Sequence, residues 1–286
     1  MEFMLSVSVL SGYLYCPRKV YLQYALKIFE PPKPALVLGS IRHSVFEKAN
    51  KADEEIAKGL DRQMDLEDVF SRYKERYMKI LKDSIIKNKP KIDEFSLVQD
   101  DVFESMAGSV IEEARQRSEN VFRFMEKNNV FGEELWQKLT PKILSEFSVQ
   151  SDALGLRGIV DKIEIYEDFM IPIELKTGKA PDEGAWPSHK LQIAAYMAML
   201  NEKTREVRCG KLVYLDHNKT VEIVNNPFIE EEVKAAIERA KALLSSKMPP
   251  DFVKSGNKCD ACGLKRQCHD EGFINNRLRT AFRSSK

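Results

Sequence analysis

Between residues 158 and 166 the chain alternates: Ile159 is set against Asp161, and Ile163 and Ile165 are interleaved with Glu164 and Tyr166. Residues 169–175 are apolar except at Glu174, with Pro172 inside the run, and Glu167 and Asp168 between the two stretches are turn formers. A period of two bounded by turn residues predicts a β-hairpin. A two-residue turn at 167 and 168 pairs residues whose numbers sum to 335, which sets Asp161 opposite Glu174. Lys176 then shares their face, because side chains alternate along a strand. Pro172 argues against a central ladder position unless it lies at an edge or a bulge.

Helical spacing dominates elsewhere. Residues 8–30 read as one helix carrying Leu14, Val20, Tyr21 and Leu22, with Cys16-Pro17 near its start and Pro31-Pro32-Lys33-Pro34 as a stiff break after it. Residues 39–50 read as a second helix, with Ile41, Val45 and Phe46 on one side and His43 and Glu47 a turn apart on another. Residues 52–139 hold three or four helices, signalled by Phe70, Tyr73, Tyr77, Ile80 and Leu81, then by Val110, Ile111, Ala114, Val121, Phe122 and Met125. Strand character runs from Ile143 through the hairpin. A helix at 188–201, a second hairpin around Asp216-His217-Asn218 and an amphipathic helix at 229–246 follow. The order predicts an α/β fold: helices, then strands around one crossover helix, then a cysteine-rich tail. The expected divisions are 1–51, 52–140, 141–248 and 249–286.

Composition narrows the class. Charged residues at 31% and hydrophobic ones at 43% exclude a disordered chain. A net charge of +1 supplies no global field toward nucleic acid, so any such affinity is local. Residues 254–286 provide one patch, with eight Lys/Arg against three Asp/Glu. No apolar run is long enough for a membrane span. The apolar start at 1–10 lacks a basic leading region, so no signal peptide is expected. Five cysteines, an odd number, favour metal or cluster ligation over a disulfide framework and a cytoplasmic setting.

Two constellations carry chemistry. Two carboxylates and an ammonium on one sheet face suit Mg²⁺, which takes oxygen ligands and leaves room for water and a phosphate. The plainer alternative is a surface hairpin neutralised by Lys162 and Lys176. Cys259, Cys262 and Cys268 form C-x2-C-x5-C, with Cys16 far upstream. Three close thiolates and a remote one favour an iron–sulfur cluster over zinc. A zinc knuckle completed by His269 or Cys209 is the alternative.

The motifs Ser8-Val9-Leu10-Ser11-Gly12-Tyr13-Leu14-Tyr15-Cys16-Pro17-Arg18-Lys19, Gly39-Ser40-Ile41-Arg42-His43, Gly158-Ile159-Val160-Asp161, Glu174-Leu175-Lys176-Thr177-Gly178 and Gln192-Ile193-Ala194-Ala195-Tyr196, closed by the three cysteines, resemble a known family. It is the RecB-type branch of the PD-(D/E)xK nucleases, and within it the CRISPR-associated exonucleases numbered fourth in the Cas series. The resemblance implies a restriction-endonuclease-like mixed-sheet core with a large helical insertion and a C-terminal iron–sulfur region. It implies a four-iron–four-sulfur cluster on Cys16, Cys259, Cys262 and Cys268. It also implies Mg²⁺ or Mn²⁺ on His43, Asp161 and Glu174 with the Leu175 carbonyl, Lys176 near the attacking water, and Gln192 and Tyr196 facing the same site. Glu146 matches an upstream acidic position. Arg18, Lys19 and Lys190 are phosphate contacts or a solvated basic face. The implied activity is metal-dependent trimming of DNA, often single-stranded, beside the integrase proteins that acquire new spacers. A repair nuclease acting on DNA ends and a non-catalytic DNA-binding partner of the integrase are the rival readings. The block at 52–140 has no motif support and is expected to be a lid, a docking arm, an oligomer contact or a solvated bundle.

Overall fold

A computed structural model describes residues 4–202, 206–253 and 256–283; Lys254 and Lys286 of the basic patch lie outside the described residues. The chain opens with β1 (Leu5–Ser6) and α1 (Val7–Tyr15). The expected single helix at 8–30 is broken. Cys16 is extended (φ −159°), as the residue before a proline tends to be, and Pro17 starts the separate helix α2 (Pro17–Val20). A wider-wound turn, Tyr21–Ala25, ends this region.

After the prolines come α3 (Pro34–Lys51), α4 (Asp53–Lys58), α5 (Leu66–Lys87), α6 (Lys89–Glu94), α7 (Gln99–Asn128) and α8 (Gly132–Lys138). The block at 52–139 therefore holds five described helices, not three or four, because α4 and α6 are too short to show a full apolar period. Asp65 and Asp68 cap α5 reciprocally, each side chain accepting the other's backbone N–H. Tyr73, Tyr77 and Leu81 of α5 share a core with Met106, Val110 and Val121 of α7.

The strands are β2 (Lys142–Ser151), β3 (Leu156–Ile165), β4 (Met170–Lys176), β5 (Cys209–Tyr214) and β6 (Lys219–Val224), with α9 (Pro187–Asn201) crossing between β4 and β5 and the short turn Leu215–His217 before β6. They form a mixed sheet in the order β1-β3-β4-β5-β6, with β2 antiparallel to β3 and β5 parallel to β4. The helix α10 (Pro227–Ser245) and the short helices α11 (Gly256–Asp260), α12 (Lys265–His269) and α13 (Glu271–Arg283) complete the described chain.

Helices cover both faces of the sheet. Ile171, Ile173 and Leu175 of β4 pack with α3 and the helical block. Met170, Leu212 and Tyr214 pack with α1, α9 and α10. Phe273, Leu278 and Phe282 of α13 pack against a third core made by Tyr21, Leu22, Leu264 and Ile274, so the tail helix is a packing element. Among the described residues no helix is long and apolar enough to cross a membrane.

A buried ion pair holds the helical block to the sheet's entrance. Asp53 and Arg117 are 1% and 4% exposed and bonded to each other; Tyr73 donates to Asp53 at 2.6 Å, and Arg117 donates to the Pro141 carbonyl at 3.1 Å. Arg117→Met leaves the carboxylate buried without its cation and is expected to cost about 3–5 kcal/mol in urea unfolding. A loss below about 1 kcal/mol would contradict this role.

Candidate active site

β2 occupies one edge of β3 along nearly its whole length. The other edge is divided. β1 pairs with it at Leu156 and Arg157, and β4 pairs with it from Lys162 onward. Residues 158–161 lie between the two partners.

The hairpin register is as the turn dictates: Ile165↔Met170 through Lys162↔Ile173 all sum to 335. The ladder stops one pair short of Asp161 and Glu174, where β4 becomes the parallel neighbour of β5. In place of a ladder pair, Asp161 Oδ2 accepts the Leu175 backbone N–H at 2.7 Å. Pro172 sits in a central strand after all. Met170 N–H points to the Glu206 carbonyl on the β5 side, so the nitrogen of Pro172, two residues on, faces that side too. The parallel ladder begins only at Ile173, so the missing donor costs no β4–β5 ladder bond there.

Three groups converge at the divided edge. His43 Nδ1 of α3 lies 3.3 Å from Asp161 Oδ1. Ligand atoms of His43, Glu146 and Asp161 all lie within 4.8 Å of one another. Glu146 falls at the interruption in the β2–β3 ladder opposite Asp161 and has a left-handed backbone, φ 51°, rarely adopted without glycine. Hydrogen bonding to Asp161 raises the His43 pKa against burial. Burial, with Asp161 nearby, raises that of Glu146.

Glu174 is outside that 4.8 Å group but near enough to Asp161 and His43 to feel their charge. Its Oε1 accepts from Lys176 Nζ at 3.0 Å and from Gln192 Nε2 at 2.6 Å, and Lys176 also donates to Gln192 Oε1 at 2.7 Å. Its Oε2 is buried with no hydrogen-bond partner. Burial pushes the carboxyl up to about 7; Lys176 opposes the rise and Asp161 adds to it. An unsatisfied buried carboxylate oxygen beside an imidazole and two further carboxylates is a donor set that a hard divalent cation could satisfy.

The other expected residues are placed as follows. Tyr196 does not reach Lys176 by a hydrogen bond but donates to the Ile159 carbonyl at 2.7 Å. A Cβ on Gly158 would meet the Tyr196 ring at 2.7 Å, so glycine is what lets α9 approach the open edge. A groove of about 470 Å³ lined by Ser6, Ser8, Ser148, Arg157, Ile159 and Tyr196 follows. Lys190 is exposed on α9. Arg18 is not available to a phosphate: it is 9% exposed, donates to the Pro250 carbonyl at 2.6 Å and to Cys268 Sγ at 3.3 Å, and covers the Phe252 ring. The break at Cys16 turns α2 toward the tail and commits that guanidinium there. Lys19 is paired with Glu30 at 2.7 Å.

One arrangement has no signal in the sequence. Arg42, 6% exposed beside His43, is bonded to Asp216 and donates to the Ser105 carbonyl at 2.9 Å, while Asp216 Oδ2 accepts the Gly178 N–H at 2.6 Å. Arg42 and Asp216 thereby tie α3, α7 and the loop after Lys176 together. At Asp216 the sequence, Asp-His-Asn between strands, reads only as a turn.

Cys16, Cys259, Cys262 and Cys268 are unbridged and line one cavity of about 30 Å³, together with Tyr15, Leu22, Leu264 and His269. Burial raises the Cys268 thiol, and Arg18 opposes the rise. Cys209 packs in the core of the helical block instead. Four thiols around one space fit a cluster or metal with four thiolate ligands.

The divided sheet edge gathers acids, an imidazole and a lysine. The chain belongs to the PD-(D/E)XK nuclease superfamily, whose family model matches residues 4–269. It is similar to a "CRISPR-associated exonuclease Cas4/endonuclease Cas1 fusion" from Myxococcus xanthus (strain DK1622), at 32% identity over 132 residues, covering 44% of this chain and 23% of the relative. It is also similar to a "CRISPR-associated exonuclease Cas4" from Rhodospirillum rubrum, at 28% identity over 126 residues, covering 43% and 38%. The chain thus matches well under half the length of these curated relatives. The solved structure of SSO0001 has 16% identity and a TM-score of 0.33, covering 65% of this chain and 80% of that one.

Glu174 gives a test that needs no ligand. Its folded pKa of about 7 exceeds the ordinary 4.5, so the folded state holds a proton that the unfolded state loses, and stability falls as pH rises between those values. With divalent metal chelated, Glu174→Gln is expected to be more stable than the wild type at pH 8 by about 1–3 kcal/mol, the gap closing toward pH 4. A wild type that is the more stable of the two at pH 8 would contradict the assignment.

Proposed function

We propose that the protein is a metal-dependent deoxyribonuclease that trims DNA, single strands preferred, and carries a four-iron–four-sulfur cluster. The observation that carries the reading is the buried, partnerless Oε2 of Glu174 beside the His43, Glu146 and Asp161 cluster. Family membership supports nuclease chemistry, which in this superfamily uses divalent ions.

His43, Asp161 and Glu174, with the Leu175 carbonyl and Glu146, would hold Mg²⁺ or Mn²⁺, which polarises a phosphate oxygen and acidifies a bound water. Lys176 has two of its three N–H donors engaged by Glu174 and Gln192. The third is left to orient the attacking water or offset charge on the phosphate. Gln192 bonds both Lys176 and Glu174 and so sets their spacing. Tyr196, anchored on Ile159, forms one wall of the groove that would lead a strand to the site. The buried Arg18, donating to Cys268, offsets thiolate charge where a cluster would join both ends of the fold.

The integrase as partner is supported by relatives that are fusions to an endonuclease Cas1. CRISPR adaptation is accordingly the setting we favour over repair of DNA ends.

Glu174→Ala and Lys176→Ala are each expected to lower Mn²⁺-dependent cleavage of single-stranded DNA at least about a hundredfold while the fold persists. Undiminished cutting by both variants would remove the catalytic assignment. Protein purified without oxygen is expected to be brown, with a broad visible absorption that bleaches on reduction. A colourless, zinc-containing sample would replace the cluster with zinc.

A further inference from the structure

His189 stands three positions before Gln192 on α9, and residues at that spacing share a helix face. Its Nδ1 lies 3.1 Å from the hydroxyl of Tyr214, which is 0% exposed on β5 and paired in register with Lys176. The same hydroxyl receives the Trp186 backbone N–H at 3.2 Å. That N–H can only donate. The phenolic proton therefore has one acceptor among its partners, His189 Nδ1; turned elsewhere, a buried O–H would be left unsatisfied.

A ring whose Nδ1 accepts carries its proton on Nε2 when neutral. Burial, reinforced by the Lys176 ammonium, pushes the His189 pKa down to about 4, so the ring is neutral across the working range. Nε2 has no hydrogen-bond partner among the described residues, and it is not among their buried unsatisfied atoms. The half-buried ring, held on the hydroxyl of Tyr214 whose residue pairs with Lys176, thus presents a fixed N–H to solvent, near enough to feel the Lys176 charge. Two N–H groups left without a partner suit an anion.

We propose that His189 is a substrate-binding residue whose Nε2–H donates to a phosphate oxygen of the nucleic-acid strand beside Lys176, with Tyr214 as the positioning residue that fixes its tautomer. The proposal rests on the nuclease reading and deepens it. A neutral donor adds direction without placing a second cation against Lys176, whose own charge stays available to the reacting phosphate.

The test has three arms on the full chain. In ¹⁵N spectra of the imidazoles, with His189→Gln identifying the resonance, the ring is expected to be neutral with its proton on Nε2 from pH 5.5 to 8. A cationic ring or an Nδ1–H tautomer overturns the proposal. His189→Ala is expected to lower kcat/KM on single-stranded DNA about 10–100-fold. His189→Gln, whose amide N–H reaches the place of Nε2, is expected to recover most of this, and Tyr214→Phe to fall between, with half-saturating Mn²⁺ unchanged. Equal rates within twofold for His189→Ala and wild type overturn it. Binding of a fluorescein-labelled single strand in Ca²⁺ reads the contact apart from cutting, and weaker binding by His189→Ala supports it. Wild-type protein that binds but never cuts with Mn²⁺ removes the nuclease reading, while equal binding by His189→Ala removes this one.

Discussion

One edge of β3 serves two strands, and the candidate site is what lies between them. β1 holds the edge at Leu156 and Arg157, and β4 takes it from Lys162. The residues between cannot complete a ladder there, so their polar groups turn to other partners. Ile159 offers its carbonyl to Tyr196, and Asp161 offers its carboxylate to the Leu175 N–H. A sheet that parts between neighbours is a place where a ligand can approach backbone and acids together, and α/β folds commonly bind at such openings.

Helices from both faces of the sheet converge on that opening. α3 brings His43, and it is held by Arg42 to Asp216 and by Asn50, whose amide donates to Ser145 of β2 at 2.8 Å. α7 is bonded to Lys162, next to Asp161, through Glu113. α9 brings Gln192 and His189 from the other face. The helical block is thus more than a solvated bundle: its core includes Ile171, Ile173 and Leu175 of the strand that carries Glu174. Displacing it would disturb the strand whose alternation aims the acid and the lysine.

Much of this was legible because the physics is local. The two-residue turn at 167 and 168 dictates the register, and the four β3–β4 pairs follow it. Amphipathic spacing marks α5, α7 and α10. What was not legible depends on distant chain. β1 is two residues long inside an apolar run, where strand and helix start look alike. Asp216 reads as a turn residue, with nothing near it naming Arg42, 174 positions away. Glu146 carries no sign of its left-handed backbone. Arg18 has the sequence signature of a surface cation only if the helix runs through Cys16-Pro17, whereas the chain ends one helix there and starts another. The cysteine count offers Cys16 as a remote fourth thiolate, and only the resemblance assigns it to the cluster, since no spacing rule spans that separation.

Anomalous diffraction from crystals grown with Mn²⁺ addresses the divided edge most directly. The account predicts a peak within ligating distance of Asp161, with Glu174 Oε2 turned onto it and His43 among its ligands. A peak held only by residues away from 158–161, or none there at saturating Mn²⁺, would contradict it.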